Sequence, residues 1–407
     1  MSLRRPLLAA TLTLTVLAAC APTGAPVLPQ APVDKLIFQA TSFAALDQWS
    51  ASDPRPALAA FAASCAKIVH RPDADAFGGG VEYGTVGDWK PACAAALNAR
   101  DLPADAARGY FGQWFAPAVA TNHGDAVGLF TGYYEPELNG SRKKQGRFQT
   151  PLLARPADLV MVDLGAFREA LKGERIAGRI DGGKLVPYAK RGDIVAGALG
   201  PRTHPLVYVD DPVDAFFLQV QGSGRVKLGD ATTIRVGYDG QNGYPYTAIG
   251  RLLVERGAIA RDQLSMQSIR AWLVAHPGEA RSLMDENASY VFFKELEIAN
   301  PNDGAPGSEG VPLTAEASLA VDTRFHGLGA PMWIEAHAPA PDAAKPDIEF
   351  RRLLVAQDTG GAIRGPVRGD VYWGAGKTAE SVAGRMAHKG KLIVFLPKPV
   401  AAKLSGP

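Results

Sequence analysis

Two aspartates twelve residues apart, Asp358 and Asp370, flank a glycine-rich turn in the stretch LLVAQDTGGAIRGPVRGDVYWG, Leu353 to Gly374. A carboxyl group held protonated can give its proton to a leaving oxygen and afterwards recover one as a carboxylate. Carboxylates beside flat aromatic surface are what cleavage of a glycosidic bond uses. Tyr372 and Trp373 offer that surface, and Arg364 lies within the turn. Gly360 and Gly361 leave room for a ligand against the main chain. The apolar run Leu353–Ala356 has the length of a buried strand, so Asp358 is expected at a strand end. Asp370 heads a second strand-like segment, Asp-Val-Tyr-Trp-Gly. The same two residues also read as a turn aspartate and a strand-capping aspartate, and the residues alone leave both readings open.

Further stretches offer groups for a polyhydroxylated ligand. Val127, Leu129 and Thr131 alternate with Gly128 and Phe130, a strand pattern leading into Gly-Tyr-Tyr-Glu-Pro. Tyr133 and Tyr134 then point to opposite faces, one for packing and one for a groove or for the core. Glu135 is a strand-end carboxylate, solvated by default. Phe217 to Gln221 alternates apolar and amide side chains, which predicts a strand carrying Gln219 and Gln221 on one face. With Gly222, Ser223 and Gly224 following, such a face suits hydroxyl-rich ligands, because amides donate and accept at once. A polar sheet face turned to water is equally consistent. Asn242 stands in the loop Asp239–Gly243.

The elements that must position these groups are mainly β with helices. The chain has 407 residues, 47% apolar, with 44 glycines and 31 prolines, enough for two or three domains of turn-rich β architecture. A formal net charge of +2 implies no nucleic-acid surface. Arg4 and Arg5, the apolar run Leu7–Val16 and Leu17-Ala-Ala-Cys20 resemble a bacterial lipoprotein leader, 1–20, cut before a lipidated Cys20. An ordinary signal peptide cut near Ala18-Ala19 is the alternative. Ala21, in place of Asp, points to the outer membrane, facing the periplasm, with 21–33 as a proline-rich tether. Helices are expected from Asp53-Pro54 (Leu58, Phe61, Cys65 and Ile68 on one face), from Asp88, and after Pro103. Cys65 and Cys93 are then the remaining cysteines, and in an oxidising compartment they are expected to bond.

Five blocks in order resemble the membrane-bound lytic murein transglycosylase A (MltA) family. They are Thr131–Pro136, Gln219–Gly224, Asn242–Gly250, Ser289–Lys294, and the closing segment AQDTGGAIRGPVRGDVYWG, whose "3D" signature is completed by Asp322. The blocks span roughly residues 125 to 400. The resemblance implies a double-psi β-barrel assembled from 34–144 and 256–407, an inserted β-domain at 145–255, and a substrate groove between them. It also implies non-hydrolytic cleavage of the β-1,4 bond after N-acetylmuramic acid in peptidoglycan, leaving a 1,6-anhydro ring. Asp370 matches the family's catalytic acid, and Asp358 and Asp322 match its supporting aspartates. Thr131, Tyr134, Glu135, Gln219, Gln221, Ser223, Gly224, Asn242, Gly360, Gly361, Arg364 and Tyr372 are the expected substrate contacts. No cofactor and no metal is expected, and a cell-wall synthesis complex is a possible partner. The chain departs from the family pattern at Arg364 and Pro366, inside the loop.

Other motifs fail on spacing. Gly374-Ala-Gly-Lys377-Thr378 lacks the first glycine of a phosphate-binding loop, Gly222-Ser223-Gly224 lacks that of a nucleophile elbow, and no histidine pair has zinc spacing. Two rivals remain: a hydrolase pairing Asp370 with Glu135 or Asp358, and an expansin-like module that binds wall glycan without cleaving it.

Overall fold

The structure, a computed structural model, describes residues 33–99, 102–171, 174–229, 232–297, 300 and 303–405. Cys20, the leader 1–20 and the tether up to residue 32 lie outside the described residues.

The N-terminal part wraps helices around what becomes a barrel. Strand β1 (Leu36–Ala40) buries Leu36 and Phe38 at period two. Helix α1 (Arg55–Ile68) follows Pro54 and buries Leu58, Phe61, Cys65 and Ile68 as its periodicity requires. Helix α2 (Val86–Leu97) starts two residues before the expected Asp88. Thr85 is its N-cap, and Asp88 is the third helical residue, accepting from the Thr85 backbone N–H in a capping box. A disulfide joins Cys65 of α1 to Cys93 of α2. Closing that loop stabilises the fold by about 3 to 4 kcal/mol on chain entropy. Helix α3 (Ala104–Trp114) ends where Phe115 opens β2 (Phe115–Asn122), which pairs antiparallel with β1.

After β3 (Gly128–Glu135) the chain builds a second sheet. Its strands and the elements around them are β4 (Glu137–Ser141), β5 (Thr150–Leu153), a three-stranded meander of β6 (Val160–Asp163), β7 (Arg175–Asp181) and β8 (Lys184–Pro187), α4 (Arg191–Val195) and β9 (Pro205–Val209). Then follow α5 (Pro212–Gln221), β10 (Ser223–Leu228), β11 (Thr233–Gln241), α6 (Ile249–Glu255), α7 (Met266–Ala275), α8 (Pro277–Asp285) and β12 (Val291–Leu296). The sheet order is β12-β11-β10-β4-β9-β5, and a parallel bridge from Ala154 to Phe293 brings its two edges together. Its strands reach from Glu137 to Leu296, beyond 145–255 on both sides. Leu253, Leu273 and Leu283 of the three following helices pack on Phe216 and Phe217 of α5.

The chain returns with β13 (Ser318–Val321), β14 (Pro331–Ala338), β15 (Ile348–Asp358), β16 (Arg368–Ala375), α9 (Gly376–Ala383), β17 (Ala387–Pro397) and α10 (Lys398–Ala401). Strands β17-β14-β15-β13-β16-β3 form a closed ring, because β3 pairs back onto β17. The pairs β13–β15 and β3–β16 are parallel. The architecture is the expected one, mainly β with helices, with a six-stranded barrel and a second β-domain inserted.

The stretch Phe217–Gln221 is a correction: it is the last half of helix α5, not a strand. Asp211 accepts from the Val213 N–H, Pro212 sits at the first helical position, and Gly222 closes the helix at φ 84°. These three end signals outweigh a five-residue alternation.

Candidate active site

Register places the carboxylates. Phe130, Leu319 and Val371 fill the barrel core. Slipping β3 or β16 by one residue would move these side chains into water, at roughly 1.5 to 3 kcal/mol each for the larger ones. That register turns the alternate residues outward. Ala320 of β13 lies opposite Asp358 on one side and Asp370 on the other, and Asp370 lies opposite Thr131 of β3. Asp358, Ala320, Asp370 and Thr131 therefore form a row across four strands on one face. With strands about 4.8 Å apart, the two aspartate Cα atoms stand about 10 Å from each other.

The two aspartates are held differently. Asp358 accepts from the Ser308 N–H (2.9 Å) and hydroxyl (2.7 Å), the Thr359 N–H (2.9 Å) and the Tyr133 hydroxyl (2.9 Å). Three donors converge on Oδ1 and Tyr133 holds Oδ2, as suits an anchored carboxylate. Asp370 is half-buried and has one hydrogen bond, from Thr131 Oγ1 to its Oδ1 at 2.6 Å. Burial raises its pKa to about 6, while the Thr131 hydrogen bond and the Arg368 charge pull it down and the Asp358 charge adds to the rise. Asp370 is thus the carboxyl of the pair that can hold a proton near neutrality and release it.

Asp322 stands one shell back. It takes a two-pronged ion pair from Arg324 (3.0 and 2.7 Å) and the Gly365 N–H at 2.8 Å. Burial alone would raise its pKa, but the Arg324 and Gly365 hydrogen bonds outweigh this and hold it below the ordinary value. Its task is to fix the loop between β15 and β16. His326, which no sequence motif marked, does the same. Burial depresses its pKa to about 4, so the ring is neutral. Nε2 donates to the Pro366 carbonyl at 2.7 Å, and Nδ1 accepts from the Tyr83 hydroxyl at 2.6 Å. The unusual Pro366 is therefore a tied position.

Several expected contacts have other places. Glu135 is fully buried, not solvated, and is clamped by Arg235 Nε at 2.6 Å and Arg225 Nε at 2.9 Å. Both arginines also donate to the Asp303 carbonyl, so the cluster ties β3 to β10, β11 and the returning chain. Asn242 is buried as well, its amide bonded to the Ala189 and Ala288 carbonyls and to the Tyr290 N–H. Gly224 is buried, and a Cβ there would meet Leu218 and the Pro136 carbonyl. Gln219 lies on the buried face of α5, with its Oε1 unpartnered. Tyr134 packs against Ala379 and Ala383, and Tyr372 packs with Tyr133, Leu313 and Ile363. Tyr372 shares the Asp370 face of β16, whereas Tyr134 lies on the other face of β3 from Thr131.

Other expected contacts remain accessible. Gln221, at the end of α5, is half-buried, and its Oε1 accepts from the Tyr134 N–H at 3.0 Å. Ser223 and Gly360 are half-buried, and Gly361 and Arg364 are exposed. A cavity of about 430 Å³, lined by Arg364, Gly365, Val367, Arg368, Leu129 and Asp125 among others, adjoins this face. Leu129 and Arg368 precede Thr131 and Asp370 by two residues, so the cavity continues the same side of the sheet. Sequence reasoning missed Tyr133, Ser308, His326 and Arg368. The period-two offset from Asp370 was a legible signal for Arg368, whereas Ser308 arrives from fifty residues away with no local mark.

Comparison with known proteins agrees with this geometry. The MltA specific insert domain matches residues 129–294, and the 3D domain matches residues 317–396. Membrane-bound lytic murein transglycosylase A of Escherichia coli (strain K12) is 32% identical over 326 residues, covering 79% of this chain and 77% of that protein. The crystal structure of a membrane-bound lytic murein transglycosylase from Agrobacterium tumefaciens superposes with a TM-score of 0.79 at 30% identity, over 90% of this chain and 99% of that one. A crystal structure of E. coli MltA with bound chitohexaose gives a TM-score of 0.60 at 27% identity, over 83% of this chain and 90% of that one. With a relative this similar over most of its length, and both domain types present in order, this chain belongs to the membrane-bound lytic murein transglycosylase A family.

Proposed function

We infer that the protein is a lytic transglycosylase that cuts the β-1,4 bond between N-acetylmuramic acid and N-acetylglucosamine in peptidoglycan without water. One observation carries the mechanism: Asp370 is half-buried with a raised pKa and a single side-chain hydrogen bond, on Oδ1, while Glu135 is sealed by two arginines and Asp358 is anchored by four donors. Protonated Asp370 gives its proton to the glycosidic oxygen as the C1–O bond breaks, and the N-acetylglucosamine side leaves as an alcohol. The muramic acid 6-hydroxyl attacks C1, its proton passes to the Asp370 carboxylate, and a 1,6-anhydro ring closes. The acid is restored and no water is consumed. Asp358 and Asp322 support the site by fixing Tyr133, Ser308 and the 359–367 loop. Gln221, Ser223, Gly360, Gly361 and Arg364 are the substrate contacts we retain, with Thr131 touching Asp370.

Mass spectrometry of muropeptides after digestion tests this reading. Products one water lighter than reducing-end muropeptides are expected. Reducing ends would establish a two-carboxylate hydrolase, and an unchanged sacculus would establish a glycan-binding module.

The same reading extends to location and organisation. Lipidation of Cys20 and an outer-membrane address facing the periplasm follow from Leu17-Ala-Ala-Cys20 and Ala21. The membrane-bound names of the relatives support membrane association, and no helix among the described residues is long and apolar enough to cross a membrane. Cys20→Ala should be recovered soluble and active. Its persistence in the membrane fraction would overturn the anchor. The barrel is best taken as the parts before Glu137 and after Leu296, with the inserted domain between them.

A further inference from the structure

Arg368 has no carboxylate ion-pair partner among the described residues; burial depresses its pKa and the Asp370 charge opposes that. Its guanidinium is spent on fixed acceptors. Nη1 donates to the Leu129 carbonyl at 3.1 Å and the Gly369 carbonyl at 2.6 Å, and Nη2 donates to Thr131 Oγ1 at 2.9 Å. Thr131 Oγ1 in turn stands 2.6 Å from Asp370 Oδ1. Guanidinium cannot accept a hydrogen bond, so Thr131 accepts from it. A hydroxyl that accepts from a cation is a poorer acceptor and a stronger donor for its next bond. The hydroxyl proton of Thr131 therefore points at Oδ1 whether Asp370 is ionised or neutral.

We propose that Arg368 is a positioning residue for the reaction: acting through Thr131, it reserves Oδ1 of Asp370 as an acceptor and leaves the transferable proton on Oδ2. The inference rests on Asp370 being the acid. The row geometry supports it, since Arg368, Asp370 and Thr131 share one face of the parallel β3–β16 pair. Protonation of Oδ1 would place a donor against the Thr131 proton, so one of the two hydrogens would go unpaired in a desolvated site. The relay also keeps the acid in a window where it serves both steps. The Arg368 charge and the Thr131 bond offset part of the rise that burial causes, and the resulting pKa of about 6 lets the proton leave and return.

The test is a cycle of four enzymes: parent, Thr131→Val, Arg368→Met and the double variant, each assayed for kcat and KM on purified glycan strands across pH. Thr131→Val should lose about tenfold to a hundredfold in kcat with KM little changed. Thr131→Ser should restore most of the rate. Arg368→Met should lose a similar factor, and its alkaline limb of kcat should move to higher pH, because a lost cation raises the Asp370 pKa. The double variant should be no slower than the slower single variant, as expected for residues acting in series. Arg368 also braces two carbonyls, so folded fraction is measured by circular dichroism and rates are expressed per folded molecule.

Multiplicative losses in the double variant would overturn the relay, as would an Arg368→Met enzyme with parental kcat and an unmoved limb. Asp370→Asn is assayed alongside. If it stays active the acid assignment fails. If it is dead while Arg368→Met is normal, only the relay fails.

Discussion

The Asp370 and Glu135 sites are both carboxyls on the outer side of the barrel, at or next to the β3–β16 pair, and both are shielded from water. Their surroundings give them opposite roles. Glu135 has two guanidiniums on its oxygens and no exposure, so both oxygens are closed to a substrate. Asp370 is half-buried with one hydroxyl on one oxygen, so burial outweighs the Thr131 hydrogen bond and the Arg368 charge. Burial by itself does not make a catalytic acid. Burial without a neutralising partner, with one oxygen left free, does.

The sharpest attempt to break this contrast is Asp370→Asn, expected to cost about 10³-fold or more in rate while leaving the fold intact. Its stability has a sign to check. The folded pKa of Asp370, about 6, lies above its ordinary 3.8, so the stability it contributes is full at low pH and is lost as pH rises through that window. The melting temperature of Asp370→Asn relative to the parent should therefore climb between pH 4 and pH 6. A flat difference would mean that Asp370 titrates normally.

Glu135→Gln should behave the other way. Removing one partner of a buried charge cluster leaves Arg225 and Arg235 uncompensated, at about 3 to 5 kcal/mol by denaturant titration. The rate per folded molecule should stay within about threefold of the parent. A stable but inactive Glu135→Gln enzyme would restore the two-carboxylate hydrolase.

Asp358→Asn lies between the two. An amide keeps the shape but turns one acceptor into a donor against Tyr133, Ser308 and Thr359. A loss of about tenfold to a hundredfold in kcat is expected, and full loss to the level of Asp370→Asn would make Asp358 a direct participant. His326 offers a pH control of opposite sign to Asp370. Its folded pKa, about 4, lies below the ordinary 6.5, so the stability it contributes is present above 6.5 and lost as pH falls toward 4. Substituting His326 by Asn should flatten that acid loss in a melting series.

The smallest effect belongs to Gln221→Ala. It removes one acceptor from the Tyr134 N–H, worth about 1 kcal/mol, and should raise KM by about tenfold or less with kcat retained. An unchanged KM with a lowered melting point would make Gln221 purely a brace.

The sequence by itself determined the strands that carry Asp358 and Asp370, because apolar runs and period-two alternation describe local burial. It determined the helix around Cys65 for the same reason, and it marked Cys65 and Cys93 as partners through redox compartment. It also singled out Asp358 and Asp370 as candidates, and the family resemblance matched Asp370 to that family's catalytic acid. What it left to the tertiary structure are the residues whose meaning depends on distant partners. Glu135 read as solvated until Arg225, Arg235 and the Asp303 carbonyl arrived from ninety or more residues away. Asn242 read as a ligand contact, yet its amide serves strands and loops about fifty residues off. The amides of Gln219 and Gln221 read as one strand face, but helix caps at Asp211 and Gly222 placed them on a helix, one buried and one facing β3. Periodicity reports which side of an element is buried, whereas the charge and hydrogen-bond partners that decide a buried group's chemistry are set only when the chain closes on itself.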